Sequence, residues 1–435
     1  MKESIREMQL NKQFARYVSQ NILGMVGVSL YILADTFFIS MAEGANGITA
    51  LNLVLPLYSV IYAIGAMVGV GSAIRFSISK AQGEKDAVKY FASAILWVLI
   101  LSVPFILVGG LFPDKIVGCL GGDKVIVAVG APYTRIFMVF TPFFMLNTVV
   151  NAFVRNDDDP SLSMAATLSS SLFNIVFDYV LMFPLGMGMT GAALATGFSP
   201  VVGVFMCGAH FFKKGNTLRF ELHVPSVKRL ISSCQLGISA FIGELSSGVT
   251  TVVYNWLILK LSGNIGVAAY GIIANTALVA TSIFNGIAQG GQPLISEAYG
   301  KGDTKSANKV LKLSFGTAVV LAFVILIGIV VFAEYVVAIF NSEGSSELAQ
   351  YAMKGIQLYF IGFLLAGINI AGCGYLSATG QAKGAFVASI SRGVVAIVLV
   401  AILMATLFGM TGVWLSFVVA EFVTFIILLI LLRRK

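Results

Sequence analysis

Charge is what this chain has least of. Lys, Arg, Asp and Glu together supply 11% of its 435 residues, while 58% are hydrophobic. A soluble protein of that length needs far more polar surface, so a water-soluble globular fold is excluded. Histidine occurs twice, at His210 and His223, and cysteine four times, at Cys119, Cys207, Cys234 and Cys373. The cysteines are scattered and no CxxC spacing occurs, which argues against a disulfide framework and a metal site. Both histidines fall at or near a polar stretch and are expected to be solvated loop residues. No GxxxxGK[ST] loop is present, so ATP is not expected to drive the chain directly. No nucleophile–base constellation or haem motif points to an enzyme.

What the chain does have is apolar sequence in runs of membrane-spanning length from end to end. The runs are continuous rather than alternating, which excludes a β-barrel. The expected fold is an all-α polytopic membrane protein with twelve transmembrane helices. Their expected bounds are 14–40, 47–77, 88–112, 126–153, 161–183, 189–213, 230–260, 265–297, 306–334, 346–376, 383–408 and 411–433. The first run is too long for the core of a cleavable signal peptide, and the charged segment before it reads as an amphipathic lead-in.

The net charge of +8 is a statement about topology rather than nucleic acid, because the positive residues sit in short loops. One side collects Arg6, Lys12 and Arg16, then Arg75, Lys80, Lys85 and Lys89, then Arg155, Lys213, Lys214, Arg219, Lys228 and Arg229. Lys301, Lys305, Lys309, Lys312, Lys383 and Arg433 follow on that side. The other side has only Lys115, Lys124, Lys260 and Lys354. The asymmetry places both termini in the cytoplasm of a multi-pass protein of the cell membrane.

The chain also repeats itself. Ile78-Ser-Lys-Ala-Gln-Gly83 returns as Ile295-Ser-Glu-Ala-Tyr-Gly300. Gly188-Met-Thr-Gly191 returns as Gly409-Met-Thr-Gly412, and Gly47-Ile-Thr-Ala50 as Gly266-Val-Ala-Ala269. The offsets are 217, 221 and 219 residues, about half the chain. A duplicated six-helix unit is expected, with lobes at 1–212 and 230–435 and a cytoplasmic linker at 213–229. Two such lobes imply a cavity between bundles and access by rocking. Pro56, Pro104, Pro142, Pro200 and Pro293 can bend their helices.

Against this apolar background the few intramembrane polar residues carry the functional expectation. A charge at mid-bilayer costs roughly 2.5–3.5 kcal/mol on insertion scales, so it normally faces a cavity or a partner. Helix 1 carries Tyr31 and Asp35 on one face. Helix 5 carries Asn174 and Asp178, four residues apart and at similar depth. Two carboxyls and an amide at one level of one lobe make a candidate cation site, and a shared desolvated pocket suits proton exchange. Glu244 and Asn255 of helix 7 and Gln289 and Gln292 of helix 8 are candidates for a substrate cavity. Asn52, Asn147, Asn151, Asn275 and Asn369 can line the same space or hold helices together. Arg392 and Glu421 lie at comparable depth and are expected to form a buried structural pair. Arg135 is expected to snorkel, and Asp157-Asp-Asp-Pro160 to cap a helix start.

Several of these segments resemble the multidrug and toxic compound extrusion family. They are Asp35-Thr-Phe-Phe-Ile-Ser40, Gly47-Ile-Thr-Ala-Leu-Asn-Leu-Val-Leu-Pro56, Arg155-Asn-Asp-Asp-Asp-Pro160, Asn174-Ile-Val-Phe-Asp178, and Gln289-Gly-Gly-Gln-Pro293 with Ile295-Ser-Glu-Ala-Tyr-Gly300. The resemblance runs over essentially the whole chain. It implies two six-helix lobes and export of cationic or amphipathic compounds against Na⁺ or H⁺, with no cofactor. It also implies that Asp35, Asn174 and Asp178 form the cation-coupling site. Glu244 matches a helix 7 acid of some members only approximately. In one departure, Val18-Ser-Gln-Asn21 stands where relatives often have a proline, leaving Gly24 and Gly27 as candidate bending points. The expected partners are a small-molecule substrate and the lipid bilayer, with the chain acting as a monomer and without nucleic acid. The competing readings are a lipid or polysaccharide-precursor flippase, which would want a more basic cavity, and a non-transporting scaffold.

Overall fold

The structure is a computed structural model that describes residues 2–221, 225–340 and 345–433. Among these residues helices are the only regular secondary structure, without strands. His223 lies outside the described residues.

The helices that cross the bilayer begin with α1 (Ile5–Gly44), α2 (Asn46–Ala81) and α3 (Lys85–Leu111). After a short helix at Pro113–Cys119 comes α4, whose two arms, Lys124–Val139 and Thr141–Asn156, meet at 47°. Then follow α5 (Pro160–Met182) and α6 (Gly188–Phe212). A helical stretch at Val227–Gly300 breaks at Gly263 into α7 (227–262) and α8 (264–300). It is followed by α9 (Thr304–Ala338) and α10 (Ser346–Ala378). The final stretch breaks at Gly409 into α11 (382–408) and α12 (410–433). With α4 taken as one bent span and the two breaks honoured, twelve spans result among the described residues, in the expected order.

Several connections contain no loop at all. Gly44 has φ 60° and ψ −145°, and Gly263, 219 residues on, has φ 62° and ψ −155°. That combination lies where only glycine sits without strain, so one residue reverses the chain between two helices. The same geometry recurring at the repeat spacing shows the duplication in the backbone itself. Pro142 lies in the first turn of the second arm of α4, next to the 47° bend, as expected of a proline that removes a helix donor. Gly24 and Gly27 make no break in α1. They stay helical, and Gly27 lets α5 approach: a Cβ there would sit 2.6 Å from the Leu168 side chain.

Each half has its own apolar core. The first is built around Tyr58, Phe137, Phe144, Phe76 and Phe153. The second centres on Tyr254, Tyr270, Tyr359, Trp414 and Phe417, and it also takes in Phe14, Tyr17 and Val18 from α1. The beginning of α1 therefore packs on the second core.

The halves meet along a seam near the end of the molecule that carries both termini. A Cβ on Gly237 of α7 would fall 1.9 Å from the Met67 carbonyl of α2, and one on Gly290 of α8 would fall 2.7 Å from Val18 Cα of α1. Backbone lies on backbone there. Farther along, the space opens: a Cβ on Gly243, Gly248 or Gly271 would meet nothing within 4 Å. The two halves are thus joined at the terminus end and part toward the other.

Candidate functional site

α1 and α5 run side by side, and this brings three sequence-expected polar residues together. Asp35 is 8% exposed, while Asn174 and Asp178 are 0% exposed. The two carboxyl groups are close enough to interact with each other. Asn174 Nδ2 donates to Thr196 Oγ1 of α6 at 3.2 Å, which turns its carbonyl oxygen free. Asp35 Oδ1, both Asp178 carboxyl oxygens and Asn174 Oδ1 have no hydrogen-bond partner. Buried polar atoms are normally satisfied, and unpaired acids in a low-dielectric site are costly. A proton or a small cation between the carboxyls removes the repulsion. An oxygen-only donor set is also what a hard cation prefers.

Tyr31, one turn before Asp35, points into the same region. Its hydroxyl lies 2.9 Å from that of Tyr58, which stacks on Tyr62 at 4.4 Å and on Phe137 at 5.1 Å. Tyr133 of α4 is close enough to feel both acids. Tyr58, Tyr62, Tyr133 and Thr196 do not stand out in the sequence. The only available signal was the i, i+4 spacing of Tyr58 with Tyr62 and of Tyr133 with Phe137. That spacing is also how a core stripe reads.

Glu244 lies on an exposed face of α7 with Ser247 and Thr251. Its charge is felt by Tyr62 of α2, so it looks across the gap at the aromatic wall of the first half. Asn255 follows on α7 and is half-buried.

Gln289 and Gln292 belong to a polar lock across the seam. Arg155 Nη1 donates to Gln289 Oε1 at 3.1 Å and to Asn21 Oδ1 at 3.2 Å. Gln292 Nε2 donates to Asn156 Oδ1 at 2.9 Å and Ser296 Oγ at 3.1 Å, and Asn156 Nδ2 donates back to Gln292 Oε1 at 3.2 Å. Gln292 is 3% exposed, and both hydrogens of its amide are engaged.

The expected pair in the second half is present. Arg392 Nε lies 2.9 Å from Glu421 Oε1, and Asn369 Nδ2 donates to Glu421 Oε2 at 2.7 Å. Arg392 sits in a π-helical turn at Ser391–Val395. At the crossing of α5 and α6, Ser170 and Ser199 bond at 2.8 Å, and in the second half Arg392 and Glu421 bridge α11 and α12. The ion pair thus occupies a helix-crossing position, which fits a structural role.

His210 is corrected. It is 2% exposed and bridges two acids, with Nε2 2.8 Å from Asp157 Oδ2 and Nδ1 3.2 Å from Asp159 Oδ2. A run of acids ahead of a proline reads as capping, and Asp159 does cap α5 through Leu162 N. The fold adds a second task that local sequence does not reveal. Asp157 also accepts from Lys80 at 2.7 Å and from the Thr217 amide at 2.8 Å, and it bonds the Thr217 hydroxyl. Burial pushes the Asp157 carboxyl up, but hydrogen bonds from His210, Lys80 and Thr217 outweigh it and hold the group well below the usual carboxylate range. Asp159 is likewise lowered, with Lys213 and His210 outweighing burial. Thr217 and the buried Leu218 belong to the linker, which is thereby tied to the first half. So is the start of α7: Trp97 Nε1 donates to the Ser226 carbonyl at 3.3 Å, and Arg75 Nε to the Ser232 carbonyl at 3.2 Å.

Twelve spans, two similar halves and a buried acid site beside an open gap define a membrane protein of the secondary-transporter class. Comparison with known proteins gives the family. The MatE family model matches residues 21–180 and 240–402, and the chain belongs to that family. It is 31% identical over 408 residues to the multidrug export protein MepA of Staphylococcus aureus (strain MRSA252), covering 92% of this chain and 88% of MepA. It is 29% identical over 420 residues to MepA of Staphylococcus haemolyticus, covering 95% and 91%. Among solved structures, it superimposes on the outward-facing conformation of a multidrug resistance MATE family transporter of the MOP superfamily with a TM-score of 0.91, at 22% identity and 98% and 96% coverage. A MOP superfamily transporter from Pyrococcus furiosus gives the same score, identity and coverage.

Proposed function

We propose that the chain is a cation-coupled antiporter of the plasma membrane. It exports cationic or amphipathic small molecules in exchange for Na⁺ or H⁺ and needs no cofactor beyond the coupling ion. The observation that carries this reading is the Asp35–Asp178 pair, buried together with unpartnered oxygens and the Asn174 carbonyl beside them. Such a group of acceptors is stable only with a proton or cation bound, so its occupancy can be linked to a change of shape. The coupling ion is held by Asp35, Asn174 and Asp178. Tyr31 and Glu244 face the substrate path, with Asn255 on the same helix as Glu244.

The lobes are 1–212 and 230–435, with the linker at 213–229, and the chain works as a monomer with both termini in the cytoplasm. In that orientation the seam closes the cytoplasmic end and the gap opens outward. The multidrug export activity of the MepA relatives supports the substrate class. An unpaired acid facing the gap, Glu244, favours cationic cargo over the anionic precursors a flippase carries.

The test is efflux of a fluorescent organic cation from vesicles holding the purified protein, under separately imposed Na⁺ and pH gradients. One gradient is expected to drive efflux in the wild type. Asp35→Asn and Asp178→Asn are expected to fall to the rate of protein-free vesicles. Normal gradient-driven transport by both variants would overturn the assignment, and efflux indifferent to either gradient would overturn antiport.

A further inference from the structure

The first half carries a second cavity that the transport mechanism does not use. It is a pocket of about 340 Å³ between α3, α4 and α6, walled by Phe91, Ile95, Val150, Val204 and Phe205 and roofed by Phe220. That volume lies at the small end of the range for ligand pockets, roughly 300–1,000 Å³. No charged side chain lines it, so it offers nothing to a cationic cargo.

Its position points to another occupant. Phe198, Phe205 and Phe212 recur every seven residues on the outer face of α6 and are 45%, 76% and 91% exposed. That flank meets lipid, and Phe205 is both part of it and a wall of the pocket. The roof comes from the linker, where Arg219 stands between two lining residues, Leu218 and Phe220. Lys214 follows the lining residue Phe211 by three positions and is exposed.

We propose that this pocket binds one acyl chain of an anionic phospholipid, from the leaflet on the side of both termini. The lipid phosphate is held by Lys214 and Arg219. An apolar slot opening on hydrocarbon, with cations at the headgroup level beside it, matches a phospholipid in both its parts. Because Leu218 and Phe220 form part of the lining, the bound chain packs the linker against the first half.

The test uses the full-length protein, delipidated in detergent and given equal amounts of dioleoyl phosphatidylglycerol and dioleoyl phosphatidylcholine. Lipid retention is read by mass spectrometry of the intact complex. The wild type is expected to keep one phosphatidylglycerol in preference to phosphatidylcholine, by about fivefold for each basic residue engaged. Val150→Trp and Ile95→Trp fill the slot from different helices and are expected to lose that lipid. Lys214→Ala combined with Arg219→Ala changes only exposed side chains and is expected to bring the two lipids to parity. Retention unchanged in both filled variants would overturn the proposal. So would a wild type without preference, or an undiminished preference in the double alanine variant.

Discussion

Asp35, Asn174 and Asp178 were legible in the sequence because a polar group in an apolar run stands out, and helical spacing gives its depth. Their aromatic surroundings were not. Tyr58, Tyr62 and Tyr133 have the spacing of core residues, and only the approach of α2 and α4 to α1 brings the Tyr58 hydroxyl onto Tyr31 and Tyr133 near the acids. His210 failed for a related reason. Its two acids arrive from a turn some fifty residues earlier in the chain, which no local pattern records. That cluster makes a test at the level of one carboxylate. Asp157 is held below its ordinary range, so its stabilisation is present above the unfolded carboxylate value and is lost as the pH falls toward the folded one. Asp157→Asn is expected to cost about 2–3 kcal/mol near neutrality. The difference from wild type, read from thermal unfolding in detergent, is expected to hold above about pH 5 and to shrink below about pH 4.

At the scale of elements, apolar run length locates the helices to within a few residues except at the start of α1, which begins at Ile5 rather than 14 because its charged lead-in is helical too. The turn at Gly263, for instance, falls in the gap expected between 260 and 265. What run length does not carry is how closely two helices approach. Gly237 and Gly243 lie less than two turns apart on α7 and look alike in sequence. One touches the Met67 carbonyl and the other faces open space. Gly237→Ala is therefore expected to force α2 and α7 apart and to cost about 1–3 kcal/mol. Gly243→Ala should gain the roughly 0.5–1 kcal/mol that alanine brings to a helix interior. Unfolding midpoints of the two variants, measured side by side, check both signs. A drop for both would mean that the gap beside Gly243 is not open in solution.

Across the whole molecule the three repeated motifs disclosed the duplication, and Gly44 and Gly263 embody it in matching dihedral angles. The repeat could not disclose where the halves diverge. Serines join α5 to α6 in the first half and an ion pair joins α11 to α12 in the second, because similar helix packing tolerates unequal side chains. Nor could it reveal the seam, since Arg155, Asn156 and Gln292 come from distant segments and each reads alone as an ordinary polar residue.

The anchoring of the linker has one more consequence. Thr217 and Leu218 are fastened to the first half, and so are Ser226 and Ser232 at the start of α7. Each anchor is made by its own hydrogen bonds or packing and does not depend on the other. Two separately expressed polypeptides, 1–219 and 225–435, are expected to find one another in the same membrane and co-purify. Together they should restore efflux, whereas either one by itself should not.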